Sequence, residues 1–169
     1  MAQVVIELLE KSHDCKAFDC GKHEQNEFLK LRARKHAEFN YSRTWVAVEE
    51  GDRRILGYVT LSMGNIGFES VADEIRSRLP RYPMPVLHVG QLATDASLQG
   101  RGIGSLLLRY VAEKAIEASA SVGCYAIELI ADNKPGFDWY QKRGFLPLAE
   151  GSMRLYQTID ALKLARRSA

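Results

Sequence analysis

One stretch of this sequence constrains the fold more than any other: a glycine-rich turn between an apolar, strand-like run and an amphipathic helix. The stretch 92–105 reads LATDASLQGRGIGS, with glycines at positions 100, 102 and 104. Glycine lets the chain bend sharply and lets its backbone approach a ligand without a Cβ in the way. The first N–H groups of a helix have no acceptor within it and lie at the positive end of its dipole. The turn therefore predicts a strand–turn–helix unit that can hold an anion.

Length and composition narrow the class of protein. A chain of 169 residues is long enough to bury a core, and we predict a single domain over residues 1–169. The net charge of +2 does not by itself imply a polyanionic partner. The sequence shows no apolar run long enough to span a membrane, no signal-peptide pattern at its start, and three cysteines without a C-x-x-C pair. These features favour the reducing cytoplasm.

The spacing of apolar residues predicts a mixed sheet. We expect strands at 4–9, 44–48, 55–62, 86–94, 125–130 and 153–158. A helix is predicted over 25–39 with Phe28, Leu31 and Phe39 on its apolar side; a second helix follows the glycines, and a third includes 138–142. The segment 64–85 is expected to be irregular apart from a short helix over 71–78. Hairpins followed by a strand–helix–strand unit indicate an α/β (α+β) fold, with a mixed, mostly antiparallel sheet and helices on both faces.

Three phosphate-binding patterns compete for the glycine turn. A nucleotide P-loop needs a lysine directly after its last glycine, and Ser105 follows Gly104 instead. A dinucleotide fingerprint counted from Gly100 needs a glycine at the position of Ser105, and it belongs near the start of a βαβ fold. The third pattern, Gln-x-x-Gly-x-Gly, is complete at Gln99, Gly102 and Gly104. The spacing therefore favours the third pattern.

This third pattern resembles the pyrophosphate loop of the GCN5-related N-acetyltransferases (the GNAT family), which bind acetyl-coenzyme A. That family often carries a second motif, Asn-x-x-Ala-x-x-Phe-Tyr-x-x-x-Gly-Phe, about forty residues later. The chain matches it at Asn133, Tyr140, Gly144 and Phe145. It departs from it at Gly136, where the family has alanine, and at Trp139, where the family has phenylalanine. Both motifs occur in the family's order and spacing.

The resemblance implies a GNAT fold with a splayed strand pair, and an acetyl-CoA site. The residues implied to lie beside the thioester are Leu92, Ala93 and Thr94. Those implied to bind the pyrophosphate are Gln99, Gly100, Arg101, Gly102, Ile103, Gly104 and Ser105. Two further implied contacts of the cofactor are Asn133 and Phe137. In the family, the tyrosine that matches Tyr140 is the general acid for the leaving CoA thiolate. A tyrosine with an ordinary pKa near ~10 is protonated at pH 7 and can donate. The alternative for Tyr140 is a packed ring with a solvated hydroxyl.

No general base stands out in the sequence. His88, Glu49 and Glu128 lie in predicted strands, and each is more simply explained as a solvated or hydrogen-bonded side chain. An α-amine has a pKa near ~8 and is partly neutral at cytoplasmic pH, whereas a lysine amine with a pKa near ~10.4 is mostly charged. A site without a clear base therefore favours α-amino acceptors.

A second resemblance concerns the acceptor. The segments 18–21 (FDCG), 28–29 (FL), 57–62 (GYVTLS) and 81–86 (RYPMPV) resemble the acetyltransferase toxins of bacterial toxin–antitoxin pairs. Those enzymes acetylate the α-amine of aminoacyl-tRNA and stop translation, and their antitoxins are ribbon–helix–helix proteins. The resemblance implies the same substrate and partner, and it leaves a homodimer open. The alternatives are a GNAT enzyme that acetylates a small amine or a peptide N-terminus, and a non-catalytic acyl-CoA binder.

Basic clusters supply candidate contacts for tRNA phosphates. They fall within 30–36, 76–81 and 163–167, and solvated surface is the alternative for each. The candidates taken from them are Lys30, Arg34, Arg78 and Arg81. A metal site is not expected, because the spacing of the nearby cysteines and histidines fits no common zinc pattern. Those residues are His13, Cys15, Cys20 and His23.

Overall fold

The described part of the chain, residues 2–168 of the computed structural model, groups into two compact units. One unit contains the chain up to Ser62 together with Val89–Val111. The other contains Met63–His88 together with the chain from Ala112 onward. The single domain expected over residues 1–169 stays a prediction.

Within residues 2–168, seven strands form one mixed sheet. The strands are β1 (Val4–Leu8), β2 (Arg43–Glu49), β3 (Gly57–Ile66), β4 (Met84–Thr94), β5 (Ala126–Ile130), β6 (Leu146–Pro147) and β7 (Arg154–Thr158). Their order in the sheet is β1-β2-β3-β4-β5-β7-β6. β4 and β5 run parallel, with His88 opposite Glu128, whereas β1–β2, β2–β3, β5–β7 and β6–β7 pair antiparallel. The mixed, mostly antiparallel sheet is thus confirmed, and the splayed strand pair stays a prediction.

The helices of the described residues differ widely in length. They are α1 (His23–Glu27), α2 (Ala33–Glu38), α3 (Asp73–Arg76), α4 (Ile103–Ser121), α5 (Lys134–Gln141) and α6 (Ile159–Ser168). A π-helical turn spans Phe28–Arg32, and 3₁₀ turns span Phe68–Ser70 and Ala96–Leu98. Between residues 2 and 168, no helix has both the length and the apolar character needed to cross a membrane.

The helix predicted over 25–39 is present, but its buried face differs from the prediction. A π-helical turn joins α1 to α2, and in it the Ala33 amide donates to the Phe28 carbonyl. This i→i+5 bond holds one residue more than an α-turn, so it changes which side chains share a face. Phe28, Leu29 and Ala33 are buried, whereas Leu31 and Phe39 are 65% and 69% exposed. The predicted apolar side is therefore wrong at Leu31 and Phe39.

Other differences lie at element ends. β3 continues to Ile66, so the irregular segment is shorter than the predicted 64–85, and α3 falls within the expected 71–78. β6 and α6 were not predicted. The Thr158 hydroxyl accepts a hydrogen bond from the Ala161 amide at 3.1 Å, as a helix N-cap does. That threonine is the sequence signal that marks the start of α6.

Each unit has its own apolar core. The first contains Cys15, Phe18, Cys20, Phe28, Leu29, Ala33, Val46, Val48, Ile55, Tyr58 and Ala93. In it the Phe18 and Tyr58 rings meet edge to face at 5.5 Å, and the Tyr58 hydroxyl donates to the Gln25 carbonyl at 2.7 Å. The second contains Ile66, Val71, Met84, Val86, Ala126, Leu148 and Tyr156. The first core fixes the π-helical turn and the FDCG segment against the strands that precede the glycine turn.

Candidate active site

The glycine turn has the strand–turn–helix geometry that the sequence predicts. β4 ends at Thr94 and α4 begins at Ile103. Gly100 and Gly102 have φ angles of 79° and 86°, and a Cβ on either would meet no atom within 4 Å. The left-handed backbone, and not lack of space, therefore requires glycine at both positions. Residues 99–102 are exposed, so this turn is open to a ligand.

Asp95 follows β4 directly and fixes the start of the turn. It is 8% exposed, and its Oδ1 accepts hydrogen bonds from the Ser97 amide at 3.0 Å and the Ser97 hydroxyl at 2.6 Å. Arg54 Nη2 lies 3.8 Å from the same oxygen. Burial alone would raise the pKa of this carboxyl, but hydrogen bonds from Ser97 and the Asp19 amide outweigh burial and lower it. Asp95 is thus an anionic cap on the 3₁₀ turn that leads into the glycines.

The FDCG segment is joined to the same stretch of chain. The Ala96 amide donates to the Asp19 carbonyl at 2.8 Å, and the Asp19 amide donates to Asp95 Oδ2 at 3.3 Å. The Asp19 carboxylate in turn accepts from the Gly21 amide at 2.8 Å and from the Asn26 side chain at 2.9 Å, and these bonds lower its pKa. These contacts tie the turn before α1 to the entrance of the glycine turn. These contacts were not predictable from the sequence, because no local pattern links residues so far apart.

Gly57, at the start of β3, lets β4 and the first turns of α4 approach its backbone closely. A Cβ at this position would lie 2.8 Å from Ile103 Cγ2, 2.9 Å from the Ala93 carbonyl oxygen and 3.1 Å from Leu107 Cδ1. The carbonyl belongs to the backbone, so it cannot move away without shifting β4. Gly57 therefore supports the positions of two predicted cofactor residues, Ala93 and Ile103, and it begins the segment 57–62 that carries the resemblance to the toxins.

The predicted cofactor residues differ in accessibility. Ala93 and Ile103 are each 5% exposed, so they offer backbone rather than side chain to a ligand. The half-buried members are Leu92, Thr94, Gly104, Ser105 and Phe137, and the exposed ones are Gln99, Gly100, Arg101, Gly102 and Asn133. Their contacts with a cofactor stay predictions.

Asn133 caps the helix that carries Tyr140. Its Oδ1 accepts a hydrogen bond from the Gly136 amide at 2.9 Å. A Cβ at Gly136 would lie only 3.3 Å from that oxygen. The glycine found where the family has alanine therefore gives the capping side chain room. Asn133 has this structural task in addition to the cofactor contact predicted for it.

Tyr140 lies among aromatic side chains near the end of α5. Its ring centre is 5.0 Å from that of Trp139 and 5.5 Å from that of Phe145. The Arg143 guanidinium covers Trp139 at 3.6 Å. Burial, and to a smaller extent the charge of Asp132, raise the pKa of Tyr140 to about 12. The phenol therefore keeps its proton throughout the neutral range and is able to act as a donor.

The three candidate bases have different surroundings. Glu128 is buried, with 2% of its surface exposed. Its Oε2 accepts hydrogen bonds from two nitrogens of Arg154, Nη2 at 2.7 Å and Nε at 3.1 Å. Its Oε1 lies 2.7 Å from His88 Nδ1. Burial would raise the pKa of Glu128, but the bonds from His88 and Arg154 outweigh burial and lower it. Glu128 is therefore a paired anion and not a free base. Glu49 is half-buried and lies opposite Val4 in the β1–β2 pair.

Comparison with known proteins decides the family. A model of the acetyltransferase (GNAT) family matches residues 5–145, a range that includes the glycine turn and Tyr140. The chain belongs to the GNAT family. The resemblance carried by the two sequence motifs is thereby confirmed, and so is acetyltransferase activity as the enzyme class.

This GNAT chain is similar to toxins that modify tRNA. It is 32% identical over 114 residues, 68% of this chain and 67% of the relative, to the "tRNA-acetylating toxin" of Mycobacterium tuberculosis. It matches AtaT complexed with acetyl-methionyl-tRNAfMet with a TM-score of 0.89 and 26% identity, over 97% of this chain and 99% of that one. It also matches a tyrosine-to-phenylalanine mutant of AtaT bound to the C-terminus of the antitoxin AtaR and acetyl-CoA, with a TM-score of 0.80 and 26% identity, over 96% and 97% of the two chains. The predicted resemblance to this group is confirmed.

The basic side chains predicted to contact tRNA fall into two groups in this GNAT chain. Lys30 is half-buried, and Arg78 and Arg81 are exposed. Arg34 instead turns towards the protein, where its Nη2 donates to the Glu10 carbonyl at 3.2 Å and lies 3.3 Å from Cys15 Sγ. Its guanidinium ties α2 to the segment after β1, while the residue as a whole is half-buried. Contacts of these four residues with tRNA stay predictions.

The histidine and cysteine cluster of this GNAT chain has structural contacts. His13 is buried, its Nδ1 accepts from the Glu10 amide at 2.9 Å, and its Nε2 donates to Glu7 at 2.7 Å. Cys20 Sγ lies 3.6 Å from the Lys22 carbonyl. Over residues 2–168, no three histidine, cysteine or acidic side chains are grouped so that they could hold a metal ion.

Proposed function

We propose that this GNAT enzyme transfers the acetyl group of acetyl-CoA to the α-amine of aminoacyl-tRNA and acts as a toxin that blocks translation. The similarity that carries the proposal extends over nearly the whole chain, to AtaT in complex with acetyl-methionyl-tRNAfMet. The AtaT complex with AtaR and acetyl-CoA supports the donor and supports an antitoxin partner, for which we propose a ribbon–helix–helix protein. A cytoplasmic location, where translation takes place, belongs to the same proposal.

The glycine turn is the proposed site of the CoA pyrophosphate. The N–H groups of the first turn of α4 have no acceptor in their own helix and can donate to phosphate oxygens. Gly100 and Gly102 have open space where a Cβ would lie, so the phosphates can approach the backbone. The end of β4 at Leu92–Thr94 is proposed to lie beside the thioester, with Asn133 and Phe137 as further contacts of the cofactor.

Tyr140 is the proposed general acid of the transfer. The neutral amine attacks the thioester carbonyl, a backbone N–H near Leu92 stabilises the oxyanion, and the C–S bond then breaks. The CoA thiolate takes a proton from the Tyr140 hydroxyl, which is reloaded from the amine nitrogen or from solvent. The raised pKa is compatible with this role, because the phenol is protonated at neutral pH and so is available as a donor when the thiolate forms.

The acceptor requires contacts with phosphate, which Lys30, Arg78 and Arg81 are proposed to supply. The test is to incubate the enzyme with acetyl-CoA and, separately, charged tRNA, uncharged tRNA, an α-amino ester and a lysine peptide. We expect acetylation of the α-amine of charged tRNA, at a rate that falls as salt rises because counterions compete for the phosphates. Acetylation of the ester or the peptide while charged tRNA stays unmodified would contradict the proposal and support the small-amine or peptide alternative.

Asp95→Asn is expected to weaken acetyl-CoA binding through the position of the glycine turn. The amide keeps the shape of the side chain but loses the charge that three donor groups now face. A hydrogen bond to a charged group contributes ~1.5–3 kcal/mol, so the KM for acetyl-CoA should rise about tenfold while kcat changes less. Steady-state kinetics and calorimetric titration with acetyl-CoA measure the effect.

Asp52→Asn is the matched control for Asp95→Asn. Asp52 is exposed in the β2–β3 hairpin, where its Oδ1 accepts from the Arg53 amide at 2.6 Å. We expect this variant to bind acetyl-CoA as the wild type does. An Asp95→Asn enzyme that keeps the wild-type KM would show that the Asp95 contacts do not position the cofactor site.

A further inference from the structure

A buried glutamine on β7 is bonded to the turn that ends the helix of Tyr140. Gln157 is 9% exposed, and its Nε2 donates a hydrogen bond to the Arg143 carbonyl at 3.4 Å. We propose that Gln157 is a positioning residue for Tyr140 and acts through this turn. The inference rests on the role of Tyr140 proposed above, and it concerns where the acid is placed and not the proton transfer itself.

The turn after α5 closes on the backbone of Tyr140. The Arg143 and Phe145 amides both donate to the Tyr140 carbonyl, at 3.0 and 3.2 Å. The Gly144 amide donates to the Gln141 carbonyl at 3.0 Å, and Gly144 has a φ angle of 95°. A left-handed glycine with these two backward hydrogen bonds forms a Schellman motif, a common way for a helix to end. The backbone of Tyr140 is therefore an anchor of the turn.

The ring of Tyr140 is supported by the same turn. In a Schellman motif, the residue after the glycine often packs against the residue whose carbonyl its amide bonds. Here that residue is Phe145, which is 1% exposed and whose ring centre lies 5.5 Å from that of Tyr140. Phe145 thus contacts both the backbone and the ring of Tyr140. A shift of the turn would displace both, and the hydroxyl would move with them.

Gln157 fits the turn at two places. The last carbonyls of a helix have no amide partner within it, and the Gln157 side chain supplies a donor to one carbonyl of this turn. A Cβ at Gly144 would lie 2.8 Å from Gln157 Nε2 and 3.6 Å from its Cδ. The glutamine amide therefore occupies the space that the absence of a side chain at Gly144 leaves. All of these residues belong to the unit that contains the chain from Ala112 onward.

Packing alone does not explain a glutamine at this position. Alternate residues of a strand lie on the same face, so Leu155 and Gln157 share one face of β7. Leu155 is fully buried and apolar, and Gln157 lies opposite the buried Ile127 of β5. Burying an amide is unfavourable unless it is hydrogen-bonded, and here its partner is the turn that carries the acid.

Gln157→Met provides the first test. Methionine has nearly the length and volume of glutamine but has no donor for the Arg143 carbonyl. A general acid must lie within hydrogen-bond reach of the atom that it protonates, and a shift of about 1 Å can cost ~10²-fold in rate. We therefore expect kcat to fall about tenfold to a hundredfold while the KM for acetyl-CoA stays near the wild-type value. Single-turnover assays and calorimetry measure the two quantities, and circular dichroism checks the fold.

A double-mutant cycle with Tyr140→Phe separates positioning from general support of the fold. The Tyr140→Phe enzyme has no hydroxyl to position, so adding Gln157→Met to it should change kcat by less than about threefold. Equal fold losses in the two backgrounds, or wild-type kcat in Gln157→Met alone, would overturn the inference while the role of Tyr140 still stands. Wild-type turnover of Tyr140→Phe would instead overturn the acid, and the inference with it. The cycle is measured with whichever acceptor the wild type acetylates, so it does not depend on the substrate.

Gln141→Met is the matched control. Gln141 is exposed on the same helix and next to Tyr140, and we expect this variant to have wild-type kinetics. A measurement on the wild type does not depend on the folding of any variant. In nitrogen-15 NMR, the side-chain amide protons of Gln157 should exchange with water much more slowly than those of Gln141. Equally fast exchange at both glutamines would show that Gln157 is not bonded to the turn, and would overturn the inference.

Discussion

Tyr140→Phe is expected to lower kcat by roughly 10²–10⁴-fold while acetyl-CoA affinity stays near the wild-type value. The substitution removes only the hydroxyl, so the contacts of the ring with Trp139 and Phe145 remain. Without a donor, the leaving thiolate must take its proton from water. Single-turnover assays under saturating acetyl-CoA measure the chemical step, and calorimetric titration measures the affinity.

The pH dependence adds a second test of Tyr140. Because its pKa is raised to about 12, ionisation of the acid should not reduce the rate at any pH at which the protein is ordinarily assayed. Tyr156→Phe is the matched control, since Tyr156 is 4% exposed and burial raises its pKa too. Wild-type turnover of Tyr140→Phe, or equal losses in both variants, would exclude Tyr140 as the specific acid.

Gly57→Ala is expected to reduce the free energy of unfolding and to weaken acetyl-CoA binding together. The added methyl group would lie 2.9 Å from the Ala93 carbonyl oxygen and 2.8 Å from Ile103 Cγ2, so β4 and the start of α4 must shift. Overpacking of this kind costs about 1–3 kcal/mol. For a chain of this size, Tm falls by about 2–4 °C for each kcal/mol lost. Urea denaturation and thermal melts measure the stability, and titration with acetyl-CoA measures the binding.

Gly123→Ala separates this effect from the general cost of changing a glycine. Gly123 is exposed, and a Cβ there would meet nothing within 4 Å. We expect the stability and the affinity of this variant to stay close to those of the wild type. If Gly57→Ala proves as stable as Gly123→Ala, β4 and α4 are not packed on β3 as closely as the structure indicates.

The glycine turn and the helix of Tyr140 were predictable because their signals are local. A strand, the glycines and an amphipathic helix follow one another directly, and Asn133 caps the short helix that carries Tyr140. Physical chemistry alone indicated an anion at the turn; the resemblance to a family was needed to identify it as CoA pyrophosphate.

The pairing of His88 with Glu128 was not predictable from the sequence. Both residues were named as candidate bases, but they come together only because β4 and β5 are parallel with these two residues in register. Register across a long connection depends on how the intervening helix packs, and no local pattern encodes that. The hydrogen bonds that Arg34 donates to the Glu10 and His13 carbonyls were not predictable for a similar reason. A charged residue within a basic run is expected to face solvent, and nothing near it in the sequence indicates acceptors more than twenty residues away.

The π-helical turn at Phe28–Arg32 has a consequence for how this enzyme is compared with others. Such a turn accommodates one inserted residue while the chain on either side keeps its place. An alignment with a homologue whose helix is regular must therefore open a one-residue gap inside this turn. Without the gap, the buried Ala33 would be aligned with a surface residue of the homologue. A substitution at that surface position would then be misread as a substitution in the core.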